Sequence, residues 1–249
     1  MELRGKKVIV TGGVRGLGRS MVEKLFSCAA AVTVVDLDAS GLAELKERQV
    51  AVNCVECDVS NHEQVARSMG EYHEKFGAAD VLINNAGILY SAPLVRISTT
   101  GIETHDAAMW DKVLAADLSS VFYMTVCVVQ KMIATRSKGV IVNISSVSAS
   151  GSAGASAYSA AKAGVNALTA AWAKELGPLG IRVVAVAPGF TETESTKAAM
   201  SEAALRETIN RVPLRRLGKS EEIAEGVLSV IQNDFFNGKV FELDGGLVL

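Results

Sequence analysis

The sequence predicts an α/β protein built on one doubly wound, mostly parallel β-sheet. Short β-branched segments alternate with longer helical patterns along the whole 249-residue chain, which is the order expected of consecutive βαβ units. Several of these segments are apolar without alternation, as in strands that helices cover on both faces. No repeat or linker interrupts this order, so a single domain over residues 1–249 is expected.

Seven strands with intervening helices predict a Rossmann-type sheet with helices on both faces. The predicted strands are Val8–Thr11, Val32–Asp36, Ala51–Cys57, Val81–Asn84, Val140–Ser145, Arg182–Ala187 and Val240–Leu243. The predicted helices are 17–29, 40–48, 61–75, 106–136, 155–177, 197–210 and 219–232. The polar stretch 88–105 is longer than most loops, and we expect it either to wall a substrate pocket or to be a tolerated surface insertion.

Composition narrows the class of protein. Hydrophobic residues make up 49% of the chain and charged residues 21%, which is enough apolar material for a large core. The net charge of -2 gives no basic surface for nucleic acid or an anionic membrane. We find no signal-peptide pattern at the start and no apolar run of the ~18 residues that a membrane span needs, so a cytoplasmic protein with small-molecule partners is expected.

Cysteine and histidine usage gives no metal-binding pattern. Cys54 and Cys57 form a C-x-x-C without a second pair, and His62, His73 and His105 are scattered. Reduced cysteines and no metal site are therefore expected.

A glycine-rich turn follows the first predicted strand. Gly12, Gly16 and Gly18 have the spacing G-x-x-x-G-x-G between a strand and a helix, where glycine lets the backbone approach a pyrophosphate and the helix N–H groups bind its charge. Asp36 ends the second strand, close to the position of a ribose-binding acid. The turn is therefore predicted to bind a dinucleotide.

Two residues near this turn bear on the choice of cofactor. The Asp36 carboxylate can accept hydrogen bonds from a ribose 2′-hydroxyl but repels a 2′-phosphate, which favours NAD. Arg15 can pair with a 2′-phosphate, or instead reach solvent or a nearby carboxylate. Asp36 carries more weight, so NAD is predicted and NADP is the alternative.

Tyr158 and Lys162 lie one turn apart on one face of a predicted helix. A nearby ammonium favours the phenolate form of tyrosine, so the pair can exchange a hydroxyl proton while a hydride moves to or from nicotinamide. Ser145 and Ser146 end the fifth strand, where hydroxyls face the ligand crevice of a parallel sheet. These residues predict an acid–base site, although many surface helices carry Y-x-x-x-K alone.

The chain resembles the short-chain dehydrogenases/reductases over nearly all of its length. It carries T-G-G-V-R-G-L-G, D-V, N-N-A-G, I-S-S, Y-S-A-A-K and P-G-F-T-E-T in the order typical of that family, and it looks most like the 3-oxoacyl-carrier-protein reductase subgroup. The resemblance implies that Tyr158 is the general acid/base, that Lys162 favours its phenolate and binds the nicotinamide ribose, and that Ser146 hydrogen-bonds the reacting oxygen. Ser145 is the alternative to Ser146.

The same resemblance implies a set of cofactor contacts and a substrate lid. The lid is expected at about 191–212, with its mobile part from Thr196 to Val212. The cofactor contacts implied by the residues and the resemblance together are Gly12, Arg15, Gly16, Leu17, Gly18, Asp36, Asp58, Val59, Asn85, Ala86, Gly87, Tyr158, Lys162, Pro188, Gly189, Thr191 and Thr193.

One position departs from the family pattern. Where the family usually carries an asparagine that holds a proton-relay water, this chain has Asp117. A carboxylate has nearly the shape of the amide, but it only accepts hydrogen bonds when ionised and adds negative charge near Lys162. We expect the relay to survive with an altered pH profile; the alternative is that Asp117 merely pairs with a neighbouring base.

The predicted function is NAD(H)-dependent interconversion of a secondary alcohol and a ketone. One alternative is an NADPH-dependent 3-oxoacyl-[acyl-carrier-protein] reductase, for which Lys131, Arg136 and Lys138 offer a small basic patch. Another is a nucleotide-binding homologue impaired through Asp117. A homotetramer is expected from the resemblance and from the apolar positions nearly all round the helix at 106–136.

Overall fold

One seven-stranded parallel sheet forms the centre of the protein. The computed structural model describes residues 1–48, 52–99, 101–193, 196 and 201–247. The strand order in the sheet is β3-β2-β1-β4-β7-β8-β9. Its strands are β1 Lys7–Thr11, β2 Ala31–Asp36, β3 Asn53–Glu56, β4 Val81–Asn84, β7 Gly139–Ile144, β8 Ile181–Pro188 and β9 Val240–Leu243. The order reverses between β1 and β4, and this switch point opens a crevice at the carboxyl ends of the strands.

Helices cover both faces of this sheet. The helices are α1 Gly16–Ser27, α2 Ala39–Arg48, α3 His62–Phe76, α4 Ala107–Leu114, α5 Ser120–Ala134, α6 Ser156–Leu176, α7 Glu202–Arg211 and α8 Ser220–Gln232. Successive residues of β1 belong to opposite cores: Val8 and Val10 pack in one cluster with α1 and α8, and Ile9 packs in the other with α3 and α5. The predicted doubly wound Rossmann-type fold is confirmed.

Two predicted elements extend beyond the described residues. The strand predicted over Ala51–Cys57 is observed at Asn53–Glu56, and residue 51 lies outside the described part of the chain. The helix predicted over 197–210 is described from Glu202 to Arg211, and residues 197–200 also lie outside it.

The stretch 88–105 contains a β-hairpin, so the expectation of a continuous loop is wrong. Strands β5 (Val95–Ser98) and β6 (Gly101–Thr104) pair antiparallel. Each strand has only four residues, which is too short for alternation to stand out in the sequence. The cross-strand pair Ile97 and Ile102 is 83% and 73% exposed, so the hairpin projects from the body of the protein.

The helix predicted over 106–136 is divided by one wider turn. Residues Ala115–Ser119 between α4 and α5 form a π-helical turn. Taken together, Ala107–Ala134 is long and apolar enough by length and composition to cross a membrane, so the expectation that no such segment exists is wrong. In the most apolar window of this segment, 44% is buried within the protein. A helix that packs into the core of a protein can be equally long and apolar.

Candidate functional site

A cavity of about 430 Å³ lies at the carboxyl ends of the central strands. It brings together every residue that the sequence predicted for catalysis or cofactor binding, from the glycine turn to Thr193. Ile88 and Leu89, from the stretch 88–105, also line it. The lining residues that the sequence did not assign to a site are Val35, Leu37, Cys57, Ser60, Ala116, Ile144, Val147, Ser148 and Phe190. Most of these are chain neighbours of predicted residues, and that adjacency is the signal that could have found them.

The glycine turn leaves no room for side chains. A Cβ on Gly18 would lie 1.9 Å from the Gly12 carbonyl oxygen, and one on Gly12, whose φ is +66°, would lie 2.8 Å from Ala86 Cα. Asn85 Nδ2 holds this turn by donating to the carbonyl oxygens of Thr11 (3.0 Å) and Gly12 (2.9 Å). The result is a narrow cradle walled by backbone.

This cradle fits the pyrophosphate of a dinucleotide. Helix α1 begins at Gly16, and no side chain caps its first turn. The N–H groups of that turn therefore point into the cavity without an intrahelical acceptor, and they favour an anion. The residues present thus suit the group that the sequence predicted.

Asp36 is fixed in the cavity wall at the end of β2. Its Oδ2 accepts from the N–H of Val14 and its Oδ1 from the N–H of Asp38, each at 3.1 Å. Asp38 itself has a lowered pKa, because the Ser40 hydroxyl and the Gly41 N–H donate to it and the charge of Arg15 adds to their effect.

A buried ion pair joins α6 to the π turn. Lys162 is 4% exposed and Asp117 1% exposed, and Lys162 Nζ lies 3.3 Å from Asp117 Oδ2. The contact has the geometry of an ion pair and not of a well-directed hydrogen bond. Lys162 Nζ also donates to the Ile144 carbonyl (3.0 Å), and Asp117 Oδ1 accepts from the Ile88 N–H (2.8 Å).

Burial and charge act in opposite directions on this pair. Burial alone lowers the pKa of Lys162, but the charges of Asp117 and Tyr158 outweigh it and the pKa is raised. Burial raises the pKa of Asp117, and the charge of Lys162 and the N–H of Ile88 counter only part of that effect. Lys162 is therefore an ammonium at neutral pH.

The π turn and Gly87 together allow the Asp117 side chain to reach the site. A π turn inserts an extra residue into a helix and changes the direction of the side chains that it carries. A Cβ on Gly87 would lie 2.7 Å from Asp117 Oδ2, so the carboxylate occupies space that only glycine leaves open. This placement joins two segments that are far apart in the sequence.

The two candidate serines have different environments. Ser145 is buried, and its hydroxyl donates to the Lys162 carbonyl oxygen at 3.4 Å. Ser146 is partly buried, and its Oγ accepts from the Ser148 N–H at 3.1 Å at the start of the 3₁₀ turn Val147–Ser150. Lys162 Nζ lies 5.5 Å from the centre of the Tyr158 ring, and Tyr158 and both serines line the cavity.

Among the residues that the structure describes, little of the lid expected at 191–212 lines the cavity. Thr191, Thr193 and Thr196 line it, and Thr191 Oγ1 donates to the Gly189 carbonyl at 3.1 Å. Helix α7 does not line it, and residues 194, 195 and 197–200 lie outside the described residues. Of the stretch 88–105, its first two residues line the cavity.

Comparison with known proteins identifies the family. The family model for short chain dehydrogenases matches residues 6–204, and the chain belongs to that family. It is 38% identical to the 3-oxoacyl-[acyl-carrier-protein] reductase FabG of Thermotoga maritima, over 100% of both chains. It is 33% identical to the human 3-hydroxyacyl-CoA dehydrogenase type-2, over 99% of this chain and 96% of the relative.

A solved structure agrees with this assignment. The crystal structure of gox2181 superposes with a TM-score of 0.89 at 29% sequence identity, covering 98% of this chain and 96% of that one. The predicted family resemblance is confirmed. The protein is an oxidoreductase of this family, and the family implies a nicotinamide cofactor.

Proposed function

We propose that the protein interconverts 3-oxoacyl and 3-hydroxyacyl thioesters with NAD(H). The observation that carries the proposal is the buried Lys162–Asp117 pair next to Tyr158 at the cavity wall. The bacterial relative is a reductase of a 3-oxoacyl group on acyl carrier protein, and the human relative is a dehydrogenase of a 3-hydroxyacyl group on coenzyme A. These relatives favour an acyl thioester over the general secondary alcohol predicted from the sequence.

Three side chains divide the proton chemistry. A nicotinamide cofactor held at the glycine turn and Asp36 would supply the hydride in reduction and accept it in oxidation. In reduction Tyr158 gives its phenolic proton to the oxygen on carbon 3, and in oxidation its phenolate takes that proton back. The Lys162 ammonium, 5.5 Å from the centre of the Tyr158 ring, stabilises negative charge that develops there, and the Ser146 hydroxyl donates a hydrogen bond to the reacting oxygen.

Asp117 acts on these catalytic side chains through its ion pair with Lys162. Its carboxylate keeps Lys162 charged despite complete burial and holds the ammonium next to the Ile144 carbonyl. We propose that it also orders the water through which Tyr158 is reprotonated. The intact Tyr158, Lys162 and Ser146 argue against an impaired homologue.

The cavity favours NAD(H) over NADP(H). Among the described residues, Arg15 and Lys162 are the cations that line the cavity, and Lys162 is committed to Asp117. Arg15 is then the one cation of the described lining residues left for a 2′-phosphate, and the Asp36 carboxylate in the same wall repels that group. NADPH remains the alternative expected for a 3-oxoacyl-[acyl-carrier-protein] reductase.

A kinetic comparison tests substrate and cofactor together. Reduction of acetoacetyl-CoA and of an acetoacetyl carrier protein is followed with NADH and with NADPH, beside a panel of simple ketones. We expect thioester turnover and a kcat/KM at least about 10-fold higher with NADH. Turnover of simple ketones alone would restore the broader alcohol dehydrogenase function, and cofactor binding without any turnover would support the impaired homologue.

The carrier of the acyl group is tested by the same assay. The patch of Lys131, Arg136 and Lys138 lies at the end of α5 and the start of β7. If a carrier protein is the partner, reversing these charges raises KM for the carrier-protein substrate and leaves KM for acetoacetyl-CoA unchanged. A KM for the carrier-protein substrate that stays at the wild-type value in the variant would favour coenzyme A.

We also propose that the chain forms a homotetramer and acts in the cytoplasm. Phe122, Val126 and Ile133 on α5 are each nearly half exposed, and the Phe122 ring lies 6.4 Å from that of Trp172 on α6. Such an apolar helix face favours contact with another copy. Light scattering of the purified protein tests this proposal, and a monomer would refute it.

A further inference from the structure

Hydrogen bonds link four serines, from Ser146 and Ser148 in the cavity wall through Ser152 to Ser159 on α6. The Ser148 N–H donates to Ser146 Oγ, and the Ser152 hydroxyl donates to Ser148 Oγ, each at 3.1 Å. The Ser152 N–H in turn donates to Ser159 Oγ on α6 at 3.1 Å. This arrangement, which we call the serine chain, ties the 3₁₀ turn to the helix that carries Tyr158.

The serine chain leaves two hydroxyl hydrogens for a ligand. Ser146 Oγ and Ser148 Oγ each accept one hydrogen bond, and each hydroxyl has one hydrogen to donate. Within the described part of the chain, neither hydrogen has a protein acceptor. Both residues are partly buried and line the cavity. The wall therefore offers two donors, two residues apart, on one rigid turn.

We infer that Ser148 is a specificity-determining residue that binds a second oxygen of the substrate. The inference rests on the proposed function and defines its substrate class as compounds with two oxygens in a 1,3 relation. In a 3-oxoacyl thioester these are the reacting oxygen on carbon 3 and the thioester carbonyl oxygen on carbon 1. Ser146 donates to the first and Ser148 to the second.

Two donors on one turn discriminate against simple ketones. A ketone with one oxygen leaves the Ser148 hydroxyl without an acceptor in a partly desolvated cavity. A site built to hydrogen-bond a polar group rejects a ligand that lacks it, because its own polar group is then unpaired. The second oxygen also fixes the orientation of carbon 3 relative to Tyr158.

The same turn supplies a matched control. Ser150 lies two residues after Ser148 in the 3₁₀ turn, but it is exposed and does not line the cavity. Ser148→Ala and Ser150→Ala remove the same hydroxyl from the same element. Thermal melting and the Kd for NADH, measured on both variants, establish that the fold and the cofactor site are intact.

The experiment compares kcat/KM for three substrates: acetoacetyl-CoA, a 1,3-diketone and a monoketone of the same length as the diketone. We expect Ser148→Ala to lower kcat/KM by about 10-fold for the first two and by less than about 2-fold for the monoketone. Ser150→Ala should leave all three values unchanged.

Other results would refute either the role of Ser148 or the proposed thioester function. If Ser148→Ala lowers all three values equally or changes none, Ser148 does not bind a second oxygen, while thioester turnover by the wild type keeps the proposed function. If the wild type turns over the diketone but not acetoacetyl-CoA, and only diketone turnover depends on Ser148, the thioester function fails and the 1,3 specificity stands. A wild type that prefers the monoketone overturns the inference.

Discussion

The two ends of the cavity are built in opposite ways. At the cofactor end the walls are backbone, since Gly12 and Gly18 approach their neighbours too closely for any side chain. At the catalytic end the walls are side chains, with the Lys162–Asp117 pair buried where a π turn meets the helix of Tyr158. Changes at the first end should therefore alter cofactor affinity, whereas changes at the second should alter rate, pH dependence and stability.

The largest effect is expected from Asp117→Leu. The substitution leaves the Lys162 ammonium buried without its partner, so the free energy of unfolding in urea should fall by about 3–5 kcal/mol at neutral pH. Because the folded pKa of Lys162 is raised, this difference should persist up to the ordinary lysine pKa of 10.5 and vanish as pH passes the raised value. The exposed Asp111→Leu is the control, and equal stability of the two variants would contradict the account.

The next effect concerns cofactor choice. Asp36→Ala removes the proposed acceptor for the ribose 2′-hydroxyl, so kcat/KM with NADH should fall by roughly 10- to 100-fold, while the value with NADPH is retained or rises. Asp38→Ala is the matched control, because it removes a carboxylate that accepts from Ser40 and Gly41 and does not line the cavity. If the ratio of kcat/KM with NADH to kcat/KM with NADPH is unchanged in Asp36→Ala, Asp36 does not determine the choice of cofactor.

Gly18→Ala should weaken cofactor binding by opening the turn. Its Cβ would lie 1.9 Å from the Gly12 carbonyl oxygen, and such overpacking costs about 1–3 kcal/mol. Gly16→Ala is the comparison, since its φ of +55° is strained but the space beside it is open, and we expect a loss of only about 1 kcal/mol. Fluorescence titration with NADH gives both Kd values, and equal values would remove the argument for a tight backbone cradle.

The smallest effect is expected from Asp117→Asn, which keeps the shape and removes the charge. Without the charge that raises its pKa, Lys162 loses its proton at lower pH, so the alkaline limb of the pH profile of kcat should move to lower pH. The rate at neutral pH should change much less. A profile that coincides with that of the wild type would mean that Asp117 does not act through Lys162.

Residues at strand ends were predictable from the sequence. Asp36 ends a strand and Gly12, Asn85 and Ser146 lie just after one, and the carboxyl ends of parallel strands meet at one edge of a sheet. Motifs at the ends of different strands therefore come together in one cavity when the sheet is parallel. The fold and most of the cavity wall follow from that rule.

What the sequence did not predict depends on local geometry. The π turn at Ala115–Ser119 has no separate signal in a helix that is apolar nearly all round, and it determines where Asp117 points. Ser148 was not named, because a serine in a turn is common and its role appears only when Ser152 and Ser146 are placed beside it. The hairpin at 95–104 was missed because its strands are short.

The most direct test of the central claim is a single-turnover reaction of the enzyme–NADH complex with acetoacetyl-CoA, in the wild type and in Tyr158→Phe. Hydride transfer to carbon 3 should be fast only when the Tyr158 phenol is present to donate its proton to the reacting oxygen. We predict an unchanged Kd for NADH and a hydride-transfer rate lower by about 10²- to 10⁴-fold in the variant. A variant that binds NADH and transfers hydride at the wild-type rate would contradict the account.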